Sequence, residues 1–227
     1  MSTPARVALY YAPLQTDPLW DVASEWLGRD AQTNAKRPQP DLPDIAAITA
    51  DARLYAFHAT LKPPMRLRDG VTWKHVLDGV AEVAAGIPEF DLPTLAVADL
   101  HGFLALRETT PSPALQALAD ACVAGVDDLR EPPTEDELAR RRHRPLPPAQ
   151  DANLARWGYP YVFATWFFHI TLTRRLSPEE RAVYFPAAQA HFADALSMTR
   201  RVVDICLFTQ PAPGAPFLLA ERIPLAT

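Results

Sequence analysis

Residues 57–61 read "FHATL" and residues 168–172 read "FHITL". The chain holds six histidines in 227 residues, so a second copy of one five-residue frame around another histidine points to a repeated element rather than to composition. Successive side chains of a strand face opposite sides. On that rule His58, Thr60 and Lys62 share one face while Phe57, Ala59 and Leu61 share the other. His169, Thr171 and Thr173 likewise lie opposite Phe168, Ile170 and Leu172. Each stretch therefore has an apolar face that helices can cover and a polar face left for chemistry.

Around the first copy, "RVALYYA" alternates as a strand and is followed by a helix that Asp17 caps, with Pro18 in its first turn. Leu19, Val22, Ala23 and Trp26 recur at helical spacing and Gly28 ends the run. Residues 31–51 are polar and broken by prolines, a surface excursion before the strand "RLYAFHATLKP". A helix over 72–85 comes next, then "TLAVADLHG" and "GFLALRE" as paired strands, then a helix opened by Ser112 and Pro113 with Leu115, Leu118, Ala119 and Cys122 on one face.

The second copy lies in "YVFATWFFHITLTRRL", a strand. The helix "SPEERAVYFPAAQAHFADAL" follows, begun by a capping box of Ser177 and Glu180, and "RRVVDICLFTQ" and "FLLAERIPL" close as strands. Strand with histidine, helix, strand thus occurs twice. We read one two-lobed domain over 1–227, with histidine units near 52–130 and 157–210. The irregular connection 131–156 carries one short helix, capped by Thr134 and Glu137. If the two units pack about a pseudo-twofold axis, their polar faces line one cleft.

Composition narrows the chemistry. A hydrophobic fraction of 48% with 22% charged residues is that of a soluble globular chain, and its 24 prolines sit mostly at element boundaries. A net charge of −5 argues against broad gripping of polyanions, so any phosphate site must be local. Cys122 and Cys206 have no neighbour at metal-ligand spacing and read as buried reduced thiols. The N-terminal stretch resembles neither a signal peptide nor a membrane span, and the expected location is the cytoplasm. No glycine-rich phosphate loop and no His-x-Glu or His-x-His pair occurs, so the expectation is chemistry without a metal or another cofactor.

Two histidines that titrate near neutrality suit paired proton transfers: the neutral one accepts a proton from a nucleophile and the charged one donates to a leaving oxygen. Threonine hydroxyls two residues along can hydrogen-bond the charged oxygens between them. The set His58, Thr60, His169 and Thr171 describes a phosphodiester site.

At these residues the chain resembles the 2H phosphoesterase superfamily, named for paired His-x-Thr/Ser-x motifs: "HATL" at 58–61 and "HITL" at 169–172. A closer likeness, to a bacterial branch often encoded among phosphonate-utilisation genes, is carried by "YYAP" (10–13), "FHATLK" (57–62), "ELARRR" (137–142), "WGYPYV" (157–162) and "FHITLT" (168–173). The resemblance implies an α+β fold of two pseudo-twofold lobes, with antiparallel sheets lining a central cleft and helices outside. It implies a metal-independent cyclic phosphodiesterase with His58 and His169 as the acid/base pair and Thr60 and Thr171 holding the phosphate. The substrate it favours is 5-phosphoribosyl 1,2-cyclic phosphate. Alternatives are an RNA 2',3'-cyclic phosphodiesterase or ligase, and a non-catalytic binder of a phosphorylated metabolite. The expected partner is a small phosphorylated substrate, with no membrane and no nucleic acid other than RNA ends.

Four further residues are candidates for binding. Lys62 follows the first motif and falls on the cleft face by alternation; Tyr11 and Tyr161 face the cleft by the same parity. Arg141 belongs to the dense run Arg140, Arg141, Arg142 and Arg144, which reads either as a solvated helix end answering Glu135, Asp136 and Glu137 or as a clamp for a second phosphate. Arg174 turns away from the cleft, and His75, His101, His143 and His191 lack the motif.

Overall fold

The computed structural model describes residues 5–143 and 145–227. The strands are β1 (Arg6–Tyr11), β2 (Ala59–Met65), β3 (Phe90–Leu92), β4 (Leu95–Leu100), β5 (Phe103–Glu108), β6 (Ile170–Arg175), β7 (Arg200–Val202), β8 (Asp204–Gln210) and β9 (Leu218–Pro224). The helices are α1 (Pro18–Leu27), α2 (Ile45–Ile48), α3 (Ala50–Tyr55), α4 (Trp73–Ala85), α5 (Pro113–Gly125), α6 (Glu135–Arg141), α7 (Pro148–Trp157) and α8 (Pro178–Leu196). Seven strands form one sheet in the order β4-β5-β6-β2-β1-β8-β9, every neighbouring pair antiparallel, and β3 pairs with β7 apart from it.

The two histidine strands are neighbours at the middle of this sheet, joined through the single pair Ala59↔Ile170. Beyond that pair they diverge, β2 towards β1 and β6 towards β5, so the sheet falls into two halves that meet where the motifs begin. Extending the register puts His58 across from Thr171 and Thr60 across from His169. The pseudo-twofold thus passes between the motifs. Side-chain bonds reinforce the seam: the indole N–H of Trp166 donates to the Thr60 carbonyl at 2.8 Å, and that of Trp26 to the Leu172 carbonyl at 3.1 Å.

Apolar residues of both motifs face the helices as alternation requires. Phe57, Ala59, Leu61, Phe168, Ile170 and Leu172 belong to one large core with side chains of α1, α4, α5 and α8. The opposite face carries a smaller core that includes Ala8, Tyr10, Trp20, Phe208 and Phe217. Strand β1 feeds both, Val7, Leu9 and Tyr11 to the first and Ala8 and Tyr10 to the second.

Helix ends follow the expected chemistry. The Asp17 side chain accepts from the Leu19 amide at 2.9 Å and Gly28 closes α1 in the left-handed region at φ 77°; such caps are each worth about 1 kcal/mol. Thr134 with Glu137 and Ser177 with Glu180 form capping boxes on α6 and α8. The β4–β5 hairpin turns through His101 at φ 54° and Gly102 at φ 100°.

Four segments differ from expectation. Residues 53–58 are not strand: α3 runs to Tyr55 and β2 begins only at Ala59, after Ala56 bends the chain at φ 69°. The segment before His169 is a loop with a 3₁₀ turn over Phe163–Thr165. Within 31–51 lies the short α2, and 131–160 holds α7 besides α6. Before both histidines aromatic and apolar residues pack irregular backbone, which hydrophobicity alone reads as strand. Among the described residues no helix is long and apolar enough to cross a membrane, and Cys122 and Cys206 are buried and unpaired.

Candidate active site

His58 and His169 each stand one residue before their strand and are fixed in the same way. The Nδ1 of His58 lies 2.9 Å from the carbonyl of Ala56, and the Nδ1 of His169 lies 3.2 Å from that of Phe167, in both cases two residues back. A carbonyl can only accept, so each Nδ1 carries a proton and each neutral ring presents an Nε2 lone pair. The Nε2 of His58 is 3.2 Å from the Thr60 hydroxyl, which can donate to it. Tyr10, opposite Thr60 in the sheet, stacks on the His58 ring at 3.7 Å, and Phe167 packs on His169 at 4.7 Å.

All four motif residues line one cavity of about 360 Å³. Its wall also includes Arg6, Tyr10, Asp51, Tyr55, Pro63, Pro64, Arg141 and Tyr159. Burial in this setting pushes His58 down to about 4; the Ala56 carbonyl opposes the shift and His169 adds to it. His169 is also lowered, by burial first, with the Phe167 carbonyl opposing and Arg107 adding. Both rings are therefore neutral at pH 7, and an anion bound between them would work against both shifts.

Arg141 reaches the cavity because α6 is tied down beside it. Arg66, just past β2, donates to Glu137 on α6 and to Glu131 at 2.7 Å, which holds Glu137 down to about 2. The Arg141 guanidinium lies over the Tyr159 ring at 4.9 Å. Arg142 instead pairs with Asp151 of α7 at 2.6 Å, Arg140 lines an adjoining cavity, and Arg144 lies outside the described residues.

Lys62 is not on the cleft face. Tyr10 pairs with Thr60 but Leu9 pairs with Lys62, so one step on β1 spans two on β2 and a bulge at Leu61 reverses the alternation. Lys62 is 2% exposed and donates to the Val123 carbonyl at 2.9 Å and to Asp127 at 3.2 Å. Burial lowers the ammonium's pKa and Asp127 opposes that.

Tyr11 also faces the other way. It packs on Phe168 at 5.9 Å within the main core, since the cleft-side residue of β1 is Tyr10. Tyr161 is 42% exposed and stands edge-on behind Tyr159 at 5.6 Å, and it is Tyr159 that lines the cavity. Alternation misses Tyr10 and Tyr159 because β1 is buried on both faces and 157–162 is not a strand. Arg6 carries no sequence signal beyond opening β1. Arg174 pairs with Glu180 away from the cavity, and His75, His101, His143 and His191 are all outside it. Among the described residues no three His, Cys, Asp or Glu side chains gather as metal ligands would.

Two bacterial proteins named ribose 1,5-bisphosphate phosphokinase PhnN resemble the chain. That of Janthinobacterium sp. (strain Marseille) is 39% identical over 230 residues, covering 97% of this chain and 51% of the relative. That of Laribacter hongkongensis (strain HLHK9) is 35% identical over 223 residues, covering 96% and 51%. The chain thus spans about half the length of these curated relatives. Among solved structures, E. coli LigT complexed with phosphate matches with a TM-score of 0.45 at 13% identity over 100% of both chains. A protein titled phosphoesterase matches with a TM-score of 0.44 at 14% identity over 99% of each. Likeness that distant says nothing about a reaction. A protein-family model matches residues 60–218, from inside the first motif to beyond the second, and the chain belongs to that family, described as "Protein of unknown function (DUF1045)".

Proposed function

We propose that the protein is a 2H-type cyclic phosphodiesterase that opens a small cyclic phosphate ester to a phosphomonoester without a metal. The observation that carries this reading is the mirrored pair: two histidines with Nδ1 locked on carbonyls, each with a threonine two residues on, lining one cavity with Arg141. His58, whose ring burial keeps neutral and whose Nε2 is free to accept a proton, is assigned the base. Its Nε2 takes a proton from water as the water oxygen bonds to phosphorus. His169, protonated once the substrate anion is present, gives its Nε2 proton to the leaving ester oxygen as the phosphorus–oxygen bond breaks. The Thr60 hydroxyl turns from His58 to the phosphate oxygens, and Thr171 donates from the other motif.

The substrate we favour is 5-phosphoribosyl 1,2-cyclic phosphate. Breaking its bond between phosphorus and O2 yields ribose 1,5-bisphosphate, the compound in the name of both longer relatives. Ring opening by this chain would supply what their name says they phosphorylate. Arg141, which lines the histidine cavity, is the residue we assign to the 5-phosphate, since a guanidinium fork matches a terminal phosphate. The test is a side-by-side comparison of kcat/KM for this substrate, for a ribose cyclic phosphate lacking the 5-phosphate, and for nucleoside 2',3'-cyclic phosphates and RNA ends. The 5-phosphorylated substrate should lead, and Arg141→Ala should raise its KM by a larger factor than that of the analogue. Preference for RNA ends would favour an RNA phosphodiesterase, and no turnover of any of them would leave a phosphometabolite binder.

A further inference from the structure

A second cavity of about 320 Å³ adjoins the histidine cavity. The two share four lining residues: Arg6, Pro63, Pro64 and Arg141. Three of the six cations lining the outer cavity are committed to carboxylates. Arg66 is held by Glu131 and Glu137, and Lys62 and Arg130 by Asp127. The two arginines at the throat are held differently. Arg6 donates from Nε to the side-chain oxygen of Gln210 at 2.7 Å and lies over Phe217 at 5.3 Å. Gln210 is itself fully buried and oriented, its amide donating to the Ala215 carbonyl at 2.7 Å. Arg141 rests on Tyr159, and neither throat arginine has a carboxylate partner among the described residues.

A neutral amide and aromatic faces fix a guanidinium without cancelling its charge, and they leave its outer N–H fork unspent. A carboxylate in place of Gln210 would hold Arg6 equally well but would compete with any anion. Close by, the hydroxyl of Tyr10, a residue 0% exposed that lines the histidine cavity, is buried without a hydrogen-bond partner.

Resting on the reading above, we propose that Arg6 and Arg141 form one two-armed subsite at the throat between the cavities, which takes the terminal phosphate monoester of a sugar phosphate. Arg6 comes from the first strand and Arg141 from the helix of the long connection, so the subsite closes only in the folded chain. Each guanidinium can offer two parallel N–H donors to the phosphate.

The test is calorimetric titration of ribose 5-phosphate into the full chain, with ribose as control, for wild type, Arg6→Met, Arg6→Lys and Arg141→Met. Wild type should bind ribose 5-phosphate and not ribose. Arg6→Met and Arg141→Met should each weaken binding roughly tenfold or more, with Arg6→Lys between, because an ammonium keeps the charge and loses the fork. Unfolding temperatures show whether each variant is folded; should Arg6→Met not fold, Arg6→Lys carries the test with a several-fold loss. An unchanged affinity in Arg6→Met, or in Arg6→Lys where that stands in, overturns the subsite. So does a wild type that binds ribose as well as ribose 5-phosphate, or binds neither. Turnover of the cyclic phosphates is read in parallel. A chain that binds ribose 5-phosphate through Arg6 yet opens no cyclic ester keeps the subsite and loses the catalytic reading.

Discussion

Removing the Asp127 carboxylate tests the placement of Lys62. Asp127 accepts from Lys62 at 3.2 Å, from Arg130 at 2.8 Å and 3.2 Å, and from Arg156 at 3.3 Å. Burial works to raise its pKa, but Arg130 and Lys62 hold it below the usual carboxylate range. In Asp127→Ala the Lys62 ammonium, 2% exposed, keeps only the Val123 carbonyl. Breaking a buried pair from one side costs 3–5 kcal/mol; about 3 kcal/mol is expected here because Lys62 can shed its proton. In a chain of this size each kcal/mol moves Tm by about 2–4 °C, so calorimetry should show a fall of roughly 6–12 °C. Lys62→Met leaves Asp127 with two arginines and should cost about 1 kcal/mol or less, with turnover within about twofold of wild type. The double variant should be more stable than Asp127→Ala alone, since the buried Lys62 ammonium is no longer left without a carboxylate. A fall of under about 2 °C in Asp127→Ala would refute the reasoning. So would a tenfold loss of turnover in Lys62→Met at unchanged Tm, which would return Lys62 to the cleft.

His58→Ala and His169→Ala should each lower kcat by roughly a hundredfold or more while circular dichroism stays that of the folded chain, and full activity in either would remove that histidine from the mechanism. Thr60→Val and Thr171→Val keep shape and lose a donor, so each should cost roughly a hundredfold in kcat/KM, measured on the same substrate. The limb of the pH–kcat/KM profile set by the base should lie below 6.5, since His58 is depressed to about 4 in the free protein; a limb above 7 would contradict the burial argument. Stability follows by linkage. The unfolded chain binds a proton at position 58 near pH 6.5 and the folded chain only near 4, so stability is full above 6.5 and declines as pH falls towards 4, and His58→Ala should flatten that decline in denaturant titrations. Overnight dialysis against a chelator should leave turnover unchanged, and loss restored by one divalent ion would indicate a metal-dependent hydrolase.

Local chemistry made several features legible in the sequence by itself. The duplicated frame marked His58, Thr60, His169 and Thr171, and the structure sets all four around one cavity. Period-two patterning assigned Phe57, Ala59, Leu61, Phe168, Ile170 and Leu172 to the core, because a half-buried strand must sort its faces by polarity. Capping boxes located α6 and α8, since orphan amides at a helix start are satisfied by residues three apart. Tertiary structure decided the rest. A single bulge turned Lys62 towards Asp127, and alternation cannot register a slip imposed by the pairing strand. Tyr10 and Tyr11 are indistinguishable by polarity on a strand buried on both faces, so only sheet register shows which one meets His58. Arg6 acquires its setting from Gln210 and Phe217 at the far end of the chain, and contacts across such separations exist only once the sheet has closed.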